Sequence, residues 1–390
     1  MTTITRPRKK TAENAAPREF RATATMRVLA AAVQANVPTL LWGSPGIGKT
    51  SIIEDAAKSW GRHCEAIAGG NREATDFLGV MVETEGDVWY ATFRWVRRLV
   101  EAPRGLLFLD ELSTAAPSTQ KGMLRVLQER VVGETAMPDT VSIVAAANPP
   151  EEAVDGWDLP GPIANRLLHL DWDFDADVWQ TGVASGFRRS TVPPVTDLIG
   201  HPDEARRARV VGLVTAFLRA MPQHLNPKMP TDPVQAGRAW ASPRSWTNAI
   251  EVLAQLYPDD AAARLVALSG LVGEGPATEF LSWEALQDVH DPEDAIDHPE
   301  NVDWDAPVDR MFALGQSMMA LAIGRDDPEF YVRTMHALSV GARHGLPDVM
   351  MPAVQGVANA MPRKGFSLTA ETVDAFSDLF QRMGLFAEAS

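Results

Sequence analysis

The chain has one cysteine, Cys64, in 390 residues. A single thiol excludes an internal disulfide and any zinc site built on cysteines, and it suits a reducing compartment. No apolar run approaches the ~18 residues of a membrane-spanning helix. The basic N-terminal stretch is not followed by the apolar core of a secretory signal, so a cytoplasmic protein is expected. Positive charge is in deficit, with 36 Lys and Arg against 51 Asp and Glu, a net charge of −15. Phosphate binding rests on neutralisation by Lys and Arg, so a surface this acidic restricts any nucleic-acid contact to a local patch. HExxH and GxSxG are missing, which removes support for a zinc protease or a nucleophile-elbow hydrolase. What is present is ordinary globular composition, 45% hydrophobic and 22% charged, in a length that suits two or three domains.

Residues 1–24 carry Arg6, Arg8, Lys9, Lys10, Arg18 and Arg21 against Glu13 and Glu19. Without apolar periodicity this reads as a basic disordered tail, with a nucleic-acid or acidic-partner arm as the alternative. From Met26 helices and strands alternate. Helices are expected at 26–36, 50–60 and 117–129, and strands at 39–42, 64–68, 105–110, 141–147 and 167–170. The runs GLLFLD and VSIVAAA are continuously apolar, as buried parallel strands are. The pattern predicts an α/β fold, a three-layer αβα sandwich around a parallel sheet over residues 25–175. Amphipathic helices at 204–221, 243–256 and 261–271 follow, within a helical region over 176–290. Residues 284–309 hold ten acids and no Lys or Arg, and read as an acidic linker. His290 and His298 lie inside it, but EF-hand spacing is missing. Residues 291–390 are again helical.

Gly43–Thr50 reads GSPGIGKT and matches G-x-x-x-x-G-K-[ST] between a strand and a helix. The glycines let backbone N–H groups curl round phosphates, and the following helix adds its N-terminal partial charge. Lys49 supplies a point charge to the β- and γ-phosphates, and Thr50 a hydroxyl to Mg²⁺. LLFLDE ends an apolar strand in Asp110 and Glu111, sixty-one residues after Lys49. Carboxylates at that end of a parallel strand meet the ligand crevice. Asp110 suits the Mg²⁺ shell and Glu111 suits a general base, so the pair implies nucleotide hydrolysis. Asn148 ends VSIVAAA, where an amide can bond water or the γ-phosphate, or simply start a turn before Pro149. Arg166 precedes Leu167–Leu168, as a surface charge or a group reaching a neighbour. Arg244 follows Ser242 and Pro243 in a first helical turn, where a cation is disfavoured. Trp42, Trp60, Trp89, Trp95 and Trp157 read as packing residues. Arg94, Arg97 and Arg98 read as a solvated face, with a pore lining as the alternative.

The ordered set GSPGIGKT, LLFLDE, AAANPPE, ANRLLHL and SPRSW resembles an AAA+ ATPase of the MoxR-like branch over residues 26–290. The resemblance implies a P-loop NTPase fold with a helical lid at 176–290 and a further helical region at 291–390. It implies nucleotide contacts from Gly43, Ser44, Pro45, Gly46, Ile47, Gly48, Lys49, Thr50, Ser51 and Arg244. Thr50 and Asp110 would serve the metal, Glu111 the base, Asn148 sensor 1, Arg166 the arginine finger and Arg244 sensor 2. Arg130 competes with Arg166 for the finger, or is a helix C-terminal charge. Asn165 stands where the family often has Asp before the finger, and Val141–Ala147 lacks the family's aromatic approach to sensor 1. Two short strands around Glu83–Asp87 match the branch's pore-facing hairpin. The expected cofactors are ATP and Mg²⁺. The expected assembly is a homo-oligomer, a hexameric ring, acting as a chaperone on a protein client, for instance one with a von Willebrand factor A domain. A nucleic-acid-linked motor in phage defence or replication, and a slowly hydrolysing scaffold, are the alternatives.

Overall fold

The computed structural model describes residues 22–149, 152, 159–186, 192–201 and 203–361, with 370, 374 and 376 beyond them. The basic tail up to residue 21 and Trp157 lie outside the described residues. Helix α1 (Ala24–Gln34) starts at Thr23, whose hydroxyl accepts from the Met26 N–H. It leads to β1 (Thr39–Trp42), α2 (Lys49–Ser59) and β2 (His63–Ala68). A short α3 (Thr75–Leu78) precedes the hairpin of β3 (Val80–Thr84) and β4 (Asp87–Ala91). Then come α4 (Arg94–Glu101), β5 (Gly105–Asp110) and α5 (Pro117–Glu129). A small hairpin of β6 (Val131–Val132) and β7 (Thr135–Ala136), not anticipated, leads into β8 (Val141–Ala147). The turn helix α6 (Gly161–Ala164) leads into β9 (Leu168–Asp171).

Five strands form one parallel sheet in the order β2-β5-β8-β1-β9. Successive side chains point to opposite faces. Leu106, Phe108, Val144, Ala146, Leu168 and Leu170 enter one core, shared with α1, α2 and the C-terminal helices. Leu107, Leu109, Ile143, Ala145 and Ala147 enter a second core with α4 and α5. The apolar runs are continuous because both faces are covered, which gives three layers. Trp42, Trp60 and Trp95 are buried as expected, but Trp89 is 44% exposed, because among the described residues β3 and β4 pair only with each other.

The helical part begins with α7 (Ala176–Ser185), α8 (Val195–Leu198), α9 (Glu204–Ala220) and α10 (Pro233–Ala236). It continues with α11 (Pro243–Gln255), α12 (Ala261–Val272) and α13 (Glu274–Glu284). The acid-rich stretch is folded rather than a solvated linker. It contains α14 (Pro292–Asp297), with Ala295, Ile296, Val302 and Trp304 buried. Asp291 caps α14 by accepting from the N–H groups of Glu293 and Asp294. Cations from the next two helices, α15 (Val308–Arg325) and α16 (Pro328–Arg343), meet its acids: Arg325 bonds Glu293 at 2.7 Å and Arg333 bonds Asp297 at 2.5 Å. His290 bonds Asp294 at 2.6 Å, and no metal-binding cluster of three or more His, Cys, Asp or Glu occurs among the described residues. The last described helix, α17 (Pro347–Ala360), shares one core with α9, α11, α12 and α15. Helices on both sides of the acid-rich stretch are therefore packed together.

Two buried polar joints tie the sheet to these helices. Arg27 of α1 donates two bonds, at 2.6 and 2.8 Å, to the carboxylate of Asp260, which also caps α12. On β9, His169 is buried between Trp42 and the α6 turn. Its Nδ1 accepts from the Trp42 indole N–H at 2.9 Å, so its Nε2–H donates to the Ala164 carbonyl, also at 2.9 Å. A second ring proton would face the indole N–H. Burial, helped by the Arg238 charge, pushes His169 down to about 4, although the Ala164 carbonyl and Asp171 oppose this. The unfolded chain binds that proton near pH 6.5. Stability from this group is therefore full above pH 6.5 and is lost as pH falls towards 4. Wild type should lose about 2 kcal/mol more than His169→Gln between pH 7 and pH 5, read from urea unfolding midpoints. Equal pH slopes for the two proteins would refute the neutral, buried histidine.

Candidate nucleotide site

The sheet order decides the site. β8 lies between β1 and β5, so the C-terminal ends that carry the glycine loop, Asn148 and Asp110–Glu111 are adjacent. Gly43 N–H donates to the Ala147 carbonyl and Leu112 N–H to the Ala146 carbonyl, which locks the three loops to neighbouring rungs. In the loop, Gly46 and Gly48 adopt φ of +79° and +89°. Only glycine takes such values cheaply, and they turn the chain into the N-terminus of α2. Lys49 opens that helix and is only 8% exposed.

The Lys49 ammonium donates to the Gly43 carbonyl at 2.5 Å, the Ser44 carbonyl at 3.0 Å and Asn148 Oδ1 at 3.2 Å. Burial pushes its pKa below the ordinary lysine value, while Asp110 and Glu152 pull it back up. The Thr50 hydroxyl donates to Asp110 Oδ2. Asp110 Oδ1 accepts from the Glu111 N–H at 2.8 Å, which fixes the carboxylate. A hydroxyl beside a carboxylate is a hard-oxygen pair of the kind Mg²⁺ takes. Glu111 has φ of +58°, uncommon for a residue with a side chain and frequent at functional sites. Its carboxylate swings over Gly70, where a Cβ would lie 2.6 Å from Oε2. Asn148 N–H donates to Ser113 Oγ at 3.1 Å, which leaves its side chain on Lys49. The structure thus brings Lys49, Thr50, Asp110 and Asn148 into contact, with Glu111 next to Asp110.

The arginines stand apart from this cluster. Among the described residues, the Arg166 guanidinium bonds only the Pro162 carbonyl, at 3.2 Å, and Arg244 is exposed in the first turn of α11. Their turns are nonetheless joined. Ser242 caps α11 and donates to Asn165 Oδ1 at 2.6 Å, while Asn165 Nδ2 donates to the Trp240 carbonyl at 2.7 Å. Asn165 is therefore a joint between the sheet and α11. Arg130 ends α5 and donates to Asn36 Oδ1 and to the Pro138 and Val141 carbonyls. Those partners lie at the N-terminal ends of β1 and β8, away from the glycine loop, so Arg130 stitches its own sheet.

Other residues were not singled out by the motifs. Glu152 accepts from the Ser44 hydroxyl at 3.0 Å, which sets a carboxylate on the phosphate loop. The Arg238 guanidinium lies 4.4 Å over the Trp42 ring and donates to Asp171 Oδ1. Trp42 itself ends β1, directly before Gly43. The only sequence signal for Glu152 was its place in AAANPPEE, two residues after a Pro-Pro turn.

A glycine loop around a buried lysine, with a carboxylate on a nearby parallel strand, defines a P-loop ATPase fold and site. Residues 39–155 match the family model described as "ATPase family associated with various cellular activities (AAA)". That stretch holds the described strands β1–β8 and all five clustered polar residues, so the sheet and its polar cluster fall within the part of the chain that is similar to an AAA-type ATPase domain. The chain is also 28% identical over 153 residues to Midasin of Giardia intestinalis, which covers 36% of this chain and 3% of that much longer protein. A looser structural likeness joins it to the "putative ATPase" of Cytophaga hutchinsonii, at TM-score 0.37 and 15% identity over 65% of this chain and 78% of that one. No helix among the described residues is long and apolar enough to cross a membrane.

Glu152 generates a test of the site's electrostatics. Its negative charge shares the loop with any bound triphosphate, and like charges at this range cost on the order of 0.5–1 kcal/mol in water. Glu152→Gln should tighten ATP binding roughly threefold at low salt, an effect that fades as salt rises. Weaker binding, measured by titration calorimetry, would mean that Glu152 supports the loop instead of opposing the ligand.

Proposed function

We propose that the protein is a MoxR-like AAA+ ATPase that assembles as a homo-oligomeric, hexameric ring and couples Mg²⁺-dependent ATP hydrolysis to remodelling or activating a partner protein. The observation that carries this reading is the division of the site. Phosphate, metal and base positions sit together in one chain, while Arg166 stands off that cluster on a turn of its own. A head-to-tail neighbour would bring such an arginine to the nucleotide, and head-to-tail contacts close into rings when the rotation allows.

Lys49 binds the β- and γ-phosphates, and the Gly43–Ser51 loop cradles them. Thr50 and Asp110 fit Mg²⁺, which when bound neutralises developing phosphate charge. Glu111 takes the proton of the attacking water. Asn148, already fixed on Lys49, orients the γ-phosphate or the water. Arg244 reaches the phosphates when α11 and its neighbours close over them, as a lid at 176–290 would. Arg166 stabilises transition-state charge in the neighbour's site, a service worth roughly 10³–10⁵ in rate where arginine fingers are known.

The exposed hairpin suits a protein client. Val80, Met81, Val88, Trp89 and Tyr90 are all more than 40% exposed on β3 and β4, and an apolar patch of this kind marks an interaction surface. The chain's negative charge also favours a protein over nucleic acid, and the branch resemblance adds a von Willebrand factor A domain as a form of client.

Two tests follow. Glu111→Gln keeps size and hydrogen bonding but cannot take a proton, so ATP should bind while turnover falls at least a hundredfold. Lys49→Ala should weaken binding itself. Wild-type turnover in Glu111→Gln would remove Glu111 as the base. For the neighbour's role, activity per chain should rise with protein concentration. Arg166→Ala should lose turnover at unchanged ATP affinity, and mixing it with Lys49→Ala should restore part of it. Co-assembled mixtures without rescue would return Arg166 to a surface charge.

A further inference from the structure

Among the described residues, helix α7 presents an apolar face that is half-exposed. Phe174, just before it, and Trp179 are each 52% exposed, and Val183 is 50% exposed one helical turn after Trp179. The Phe174 and Trp179 rings are in mutual contact at 6.4 Å, so they present one aromatic surface. Exposed aromatics grouped in this way are characteristic of interfaces. Asp173 and Asp177 flank the face, and both are exposed.

A groove of complementary character lies elsewhere. It has a volume of about 460 Å³ between α5 and the α6 turn. Pro117, Leu124, Pro160 and Ile163 give it apolar walls, and Lys121 and Arg125 give it cations, Arg125 being shared with Glu129 at 2.8 Å. Arg166 bonds the Pro162 carbonyl of the same turn. Met229, 48% exposed, abuts Gly161 and extends the apolar rim.

The two surfaces sit on either side of β9 in the chain. α6 precedes β9 and α7 follows it, so they belong to opposite ends of that strand. The α7 end is the nucleotide end, where Trp172 N–H donates to the Trp42 carbonyl directly before the glycine loop. The groove is at the Arg166 end. We infer that the Phe174–Trp179–Val183 face of one copy docks in the α5–α6 groove of a second copy, with Asp173 and Asp177 against Lys121 and Arg125 and with Arg166 left for the nucleotide. The inference rests on the head-to-tail reading above and gives it a contact. Seating α7 beside one copy's glycine loop in the groove beside the other copy's Arg166 brings that arginine towards that nucleotide. An aromatic anchor in an apolar pocket supplies affinity, and the opposed charges set the register.

Cysteine pairing tests it. The native Cys64 is partly buried, and burial holds its thiol up near 12, so it takes little part in oxidative coupling. Gln180→Cys, exposed beside the Trp179 anchor, and Gln128→Cys, in the wall of the groove, combined in one chain and oxidised mildly with ATP present, should yield a ladder of covalent multimers. Either substitution alone should not, and a mixture of the two single variants should yield dimers. Asp177→Lys should raise the protein concentration for half-maximal ATPase about tenfold, and adding Lys121→Glu should restore it. That rescue separates a charge contact from a damaged helix. If the protein assembles with Arg166-dependent ATPase but neither cross-link nor charge rescue occurs, the docking is wrong and the ring reading stands. If activity is independent of concentration and no multimer forms, both are wrong.

Discussion

The organising constraint of this protein is a lysine ammonium buried with three neutral oxygens for company. Lys49 is held by two carbonyls of its own loop and by the amide of Asn148 on the neighbouring strand. Its hydrogen bonds go to dipoles, and the carboxylates of Asp110 and Glu152 act on it only through space, so it is poised for an anion. The glycines exist to bend the loop around it. β8 must lie between β1 and β5 for Asn148 to reach it. The Thr50–Asp110 contact then follows, because the residue after the lysine faces the end of the strand beyond β8.

The second constraint is mechanical. Asn165, one residue before Arg166, accepts from Ser242 and donates to the Trp240 carbonyl. Ser242 caps the helix that begins with Arg244 in its first turn. A displacement of α11 relative to the sheet must therefore break buried hydrogen bonds or carry the Arg166 turn with it. Buried bonds of this kind cost about 1–3 kcal/mol each when one partner is left unsatisfied, so carrying the turn is the cheaper course. The positions of α11 and of the Arg166 turn are coupled by this joint, and the Trp42–His169–Ala164 chain links the same turn to the root of the glycine loop.

Much of the catalytic half was legible in the sequence, and for identifiable reasons. Thr39–Trp42, Gly105–Asp110, Pro117–Glu129 and Val141–Ala147 form as read, because strands covered on both faces are unbroken apolar runs and the helix begins with a proline at its first position. The P-loop fold followed from a loop whose chemistry has few other uses. Contacts distant in sequence were not legible. The strand order, the Glu152–Ser44 bond and the Asn165–Ser242 joint all depend on residues that only the fold brings together. The acid-rich stretch misled for the same reason: its cations, Arg325 and Arg333, come from later helices. Trp89 misled because a tryptophan is usually packed, whereas this one sits half-exposed on a hairpin whose strands pair, among the described residues, only with each other.

A structure of the Glu111→Gln protein with Mg²⁺ and ATP tests the central claim most directly. The β- and γ-phosphates should replace the Gly43 and Ser44 carbonyls as partners of the Lys49 ammonium, with Asn148 still against it and the metal on the Thr50 hydroxyl. A triphosphate bound away from Lys49, or a Lys49 ammonium that keeps its backbone partners with nucleotide present, would contradict the reading of this buried charge as the phosphate receptor.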